Sequence, residues 1–161
     1  MNLSKYYACL ALLEDETNKL YEELINQCKE DSVKLILLNI LYETIKHKEV
    51  LIFISKLRGA VYPPVIDECV KEAGYLLKDS LEFIRKLKAQ VKEDSLLNIL
   101  KRLIEFEEAV SEEYLIKIHG EASKFMEDDP IVKKILNYIA KDEERHVKLL
   151  KSACRILSKK A

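Results

Sequence analysis

Tryptophan is absent from the chain, and glycine and proline occur only three times each in 161 residues. So few breakers exclude turn-rich β-sandwiches and barrels, collagen-like repeats and low-complexity linkers. The four cysteines, Cys9, Cys28, Cys69 and Cys154, are scattered with no Cys-x-x-Cys pair. That spacing gives no sign of zinc-ribbon, iron–sulfur or redox-pair chemistry, and the four read as reduced, mostly buried residues. Neither sign of charge dominates: 27 basic and 28 acidic residues leave a net charge of -1 without a long block of either. Nucleic acid and membrane surfaces are therefore not expected as partners. Long apolar runs are missing too. Leu35 to Leu41 and Val50 to Ile54 are too short to cross a bilayer, and Met1 leads into an amphipathic pattern with no basic segment or cleavage site before it. The expectation is a soluble, cytoplasmic protein.

What is present is Leu, Ile, Lys and Glu, with 48% hydrophobic and 34% charged residues. This composition predicts an all-α protein, residues 1–161 forming a single domain with a substantial core. Abundant Lys and Glu with only two glutamines, Gln27 and Gln90, lean towards a heat-adapted source. Apolar residues at i, i+3, i+4 and i+7 predict helices over about 3–28, 32–58, 95–119 and 130–158. Asp31-Ser32, Asp94-Ser95 and Asp129-Pro130 offer N-terminal caps, and Gly59 a C-terminal stop. Residues 59–94, opened by Tyr62-Pro63-Pro64, read as a partly helical crossover broken near Gly74 and Asp79. Helices of about 25 residues are ~38 Å long, the scale of a bundle with one central site.

A single Glu interrupts the apolar stripe of the first helix (Glu14) and of the third (Glu107). The fourth carries Glu143 and His146 three residues apart on its apolar face, where both side chains can converge on one cation. An internal repeat links these positions. Tyr42 to His47 aligns with Lys141 to His146, superposing His47 on His146, while Glu14 to Tyr21 and Glu107 to Tyr114 are both steps of seven. The chain thus reads as two similar antiparallel helical hairpins joined by the crossover. His119, beside Gly120, reads as a surface or capping residue, and Glu105, Glu108, Glu112 and Glu113 as solvated flanks.

Brought to one level, Glu14, His47, Glu107, Glu143 and His146 resemble the di-iron carboxylate arrangement of four-helix bundles. Over nearly its whole length the chain is similar to the ferritin-like superfamily, in particular to rubrerythrin-like proteins. The similarity rests on the Glu14–Tyr21 and Glu107–Tyr114 spacings and on Asp-Glu-Glu-Arg-His at 142–146. It implies a ferritin-like four-helix bundle in which those five residues ligate two iron ions, or manganese or another divalent metal. Tyr21 and Tyr114 would support the carboxylates from a second layer. It also implies peroxide reduction, ferrous iron oxidation or iron handling, with dioxygen or hydrogen peroxide as reactant and no catalytic group beyond the ligands.

Three departures from the family stand out. Thr44 occupies the position of the second helix's bridging carboxylate, and a neutral hydroxyl cannot bridge two cations. Glu43, one residue away and i, i+4 from His47, is the candidate substitute; otherwise a single metal is expected. Val110 stands where rubrerythrins tend to place a further third-helix Glu. The rubredoxin-like centre is missing, so peroxidase chemistry needs an external electron donor. The alternative is a bundle that kept the fold, lost the dinuclear centre and serves as an oligomeric scaffold or binding protein. Ile45, Ile52 and Phe53, off the main stripe, predict a homo-oligomer in either case.

Overall fold

The computed structural model describes residues 2–119 and 129–161, with the side chains of 73, 75, 76 and 113–119 left outside the description. The described residues form six helices and no strand: α1 (Leu3–Gln27), α2 (Asp31–Leu57), α3 (Ile66–Ala73), α4 (Tyr75–Gln90), α5 (Leu96–His119) and α6 (Pro130–Lys160). None of the described helices is long and apolar enough to cross a membrane.

Local chemistry sets most helix ends. Asp129 caps α6, its carboxylate accepting from the amides of Ile131 (2.8 Å) and Val132 (3.2 Å), with Pro130 supplying a first residue that has no N–H to satisfy. Ser95 caps α5 by accepting from the Asn98 amide at 3.2 Å. At the end of α2, Gly59 turns to φ 84° while the Ala60 amide donates to the Ser55 carbonyl and the Gly59 amide to Lys56. That pair of bonds is a Schellman motif, which needs a residue free to adopt positive φ. Asp31 is not the cap of α2: the Glu30 carbonyl already accepts the Lys34 amide, so Asp31 sits in the first turn, where its charge favours the helix dipole. The crossover breaks at Gly74 (φ 78°), whereas Asp79 lies inside α4.

The chain divides into two compact units, one of Met1–Gln27 with Leu38–Glu93 and one of Cys28–Leu37 with Asp94–Ala161. In the first, α3 and α4 pack on α1, and the later part of α2 meets it through Arg58 and Lys48, so most of the circumference of α1 is buried. Tyr7 stacks under the Arg58 guanidinium while Asp15 meets Lys48, so these parts of α1 and α2 run antiparallel. Glu16 ties α1 to Arg85 (3.5 Å) and Lys88 (3.9 Å) of α4.

Cys9 and Cys69 are not reduced thiols. They form a disulfide across 60 residues of sequence, Cα atoms 5.5 Å apart, fastening α3 to α1. Scattered spacing concealed it because only the packing of α3 brings the pair within reach. In the chain-entropy description a loop of that size contributes about 4 kcal/mol. Cys28 stays a buried thiol, and Cys154 is a half-buried one pushed up in pKa by burial.

In the second unit, α5 packs along α6. Ser111 donates to the Ala140 carbonyl at 3.3 Å, and a turn earlier on α5 Glu107 approaches His146, so these helices are also antiparallel. Leu100 and Leu103 of α5 and Leu136, Ile139, Leu150 and Ala153 of α6 are buried around that contact.

Candidate metal centre

The buried face of α6 recurs at Leu136, Ile139, Ala140, Glu143, His146, Val147, Leu150 and Ala153. Helical periodicity therefore carries Glu143 and His146 inward with the apolar residues. From α5, Glu107 enters the same space. His146 Nδ1 lies 3.4 Å from Glu143 Oε2 and 3.8 Å from Glu107 Oε2, and one ligand atom of each residue falls within 4.8 Å of the others. Glu107 and Glu143 are each 2% exposed and His146 fully covered.

Burial, then the neighbouring Glu143, pushes the Glu107 carboxyl up to about 8, with His146 pulling the other way. For His146, burial opposes the charged ring, but Glu143 and Glu107 together outweigh it and lift the imidazole to about 11. Protons thus substitute for the positive charge that two sealed carboxylates need. A divalent cation meets the same need, and two carboxylates with an imidazole make a donor set suited to iron or manganese. Size, burial and donor chemistry fit a metal.

The first unit contributes two more buried donors. Glu14 of α1 is 4% exposed, His47 of α2 is fully covered, and their ligand atoms lie within 4.8 Å of one another. Thr44, one helical turn from His47, donates its hydroxyl to the Ile40 carbonyl at 2.9 Å, so it is committed to its own backbone. Glu43 remains half-buried on the flank of α2 and joins no buried donor group among the described residues. Tyr21 is sealed in the core on α1. The side chain of Tyr114 lies outside the description, as do those of Glu113 and His119. Glu105, Glu108 and Glu112 are exposed, Glu108 pairing with Lys151 at 3.1 Å.

Two further polar features were not singled out from the sequence, and a third, Asp142, entered only as part of the 142–146 motif. Asp142 is buried and holds Arg145 at 2.6 Å, Glu16 is buried among α4 cations, and Asn18 is buried one turn beyond Glu14. The i, i+4 spacing from Glu14 is the sequence signal that could have found Asn18. Comparison with protein families, curated proteins and solved structures found no match.

Proposed function

We propose that the chain is a ferritin-like metalloprotein that binds iron through Glu107, Glu143 and His146, with Glu14 and His47 as a second donor set, and reduces peroxide or oxidises ferrous iron. The observation that carries this is the sealed group of two carboxylates and one imidazole within 4.8 Å. Iron supplies the redox equivalents and an open coordination position for an oxygen-bearing reactant. The protein's part is narrower. Glu107 and His146 give up their protons to become ligands, Glu143 faces both, and the apolar shell excludes bulk water. An external donor returns electrons. Cytoplasmic residence together with the Cys9–Cys69 bond fits a heat-adapted source, where intracellular disulfides persist.

Anaerobic calorimetric titration with ferrous iron should show stoichiometric binding, and the loaded protein should consume hydrogen peroxide faster than iron in buffer. A flat titration removes the reading. The commitment of Thr44 to Ile40 favours one competitor, a bundle of the same kind serving as an oligomeric scaffold without metal. On that reading a chelator leaves the melting temperature of freshly isolated protein unchanged, whereas a bound metal adds stability by linkage and chelation lowers it.

A further inference from the structure

Nearly all the buried neutral polar side chains of the described structure find a partner inside the protein. Ser4 donates to Asn2, Thr17 to the Leu13 carbonyl, Thr44 to Ile40, Ser55 to Ile52 and Ser111 to Ala140. Asn18 does not conform. It is 4% exposed, and neither its amide oxygen nor its amide nitrogen has a hydrogen-bond partner. A buried amide left in that condition is costly, and an apolar side chain of similar size would pack in its place without the penalty. The residue therefore calls for a partner beyond the protein's own atoms.

Its position says which. Asn18 follows Glu14 by four residues on α1, which puts their β-carbons about 5–6 Å apart on one face. Helical side chains lean over the turn towards the helix N-terminus, which sets Asn18 on the side of α1 that carries Glu14. Glu14 and His47 are the donors that this unit contributes to a buried group, one carboxylate and one imidazole. That pair is short of what a six-coordinate divalent ion takes, and the Thr44 hydroxyl is committed elsewhere. An amide oxygen is a hard, neutral donor of the missing class, and no proton must leave it.

We propose that Asn18 is a metal-binding residue, its amide oxygen serving as a further protein donor beside Glu14 and His47. The proposal rests on the metal reading above. It is tested by titrating metal-free wild-type protein, Asn18→Leu and Asn18→Asp with cobalt(II), followed by calorimetry and by visible absorption, which reports coordination number. Wild type should take up two equivalents. Asn18→Leu should keep the equivalent held by Glu107, Glu143 and His146 but bind the other at least about ten-fold more weakly, with loss of its spectral component. Its metal-free melting temperature should hold or rise, because the unsatisfied amide is gone. Asn18→Asp should retain both equivalents. Superimposable isotherms and spectra for wild type and Asn18→Leu overturn the proposal, as does a wild type that binds one equivalent only. Absence of any binding to wild type overturns the metal reading itself. Should Asn18→Leu fail to fold, Asn18→Ser, too short to reach the ion, is read by the same criteria.

Discussion

The α5–α6 unit and the unit enclosing α1 carry related sequence patterns but bury unequal chemistry. Two carboxylates and a histidine meet in the former, whereas the latter has one carboxylate, one histidine and a threonine turned onto its own helix. The latter also carries the disulfide. Each further buried charge needs a counter-charge or a proton, and in the α5–α6 set Glu107 and His146 are both held above their ordinary pKa values. Unequal donor sets predict unequal metal affinities, and the covalent staple predicts unequal mechanical roles.

The largest test removes the staple. Reduction, or Cys69→Ser, should lower stability by about 4 kcal/mol, on the order of 10 °C in thermal unfolding followed by circular dichroism. An unchanged transition would show that the bond adds nothing to the packing of α3 on α1. Next, Glu143→Ala should weaken binding at the α5–α6 set by about 100-fold in calorimetry, while Glu43→Ala should leave every equivalent in place. Equal losses from both would erase the distinction between the two positions.

Thr44→Glu would make the two sets more alike. Adding a carboxylate three residues before His47 should tighten the weaker equivalent by about ten-fold and cost the metal-free protein roughly 1–3 kcal/mol, because another acid is buried. A variant that is less stable yet binds no better would mean that helix α2 does not offer this position to a metal.

Acidity separates the units without mutation. Glu107 is raised from 4.5 to about 8 and His146 from 6.5 to about 11, so the folded metal-free protein holds more protons than the unfolded chain over those intervals. Their contribution is fully present below about pH 4.5 for Glu107 and 6.5 for His146, and is lost as pH rises through about 8 and 11 respectively. Chelated protein should therefore melt at falling temperature from pH 5 to 9, with a flatter profile after metal loading; parallel profiles would contradict the assignment.

The smallest effect belongs to the first unit. Burial pushes the Asp15 carboxyl upwards, but hydrogen bonds from Lys19 and Lys48 more than offset it and hold the pKa below 3.8. The benefit exists above 3.8 and disappears as pH falls through the lowered value. Asp15→Asn should cost under about 1 kcal/mol at neutral pH, and the difference from wild type should vanish in strong acid.

Helix class and the candidate donors were legible because both follow from spacing along one chain. Asp129-Pro130 marks a helix start by itself, and a Glu-x-x-His on an apolar stripe must turn inward with that stripe. Asp31 was misread as a cap because carbonyl geometry, not residue type alone, decides where the first helical bond begins. Cys9 and Cys69 gave no sign at 60 residues' separation.

Sequence by itself therefore determined the all-helical class, the caps at Ser95 and Asp129, and the inward face bearing Glu143 and His146. Tertiary structure alone decided that Cys9 meets Cys69 and that Asn18 is sealed without a protein partner. Periodicity is a property of neighbours along a helix, whereas a disulfide or an unsatisfied amide depends on what other segments bring to the same point.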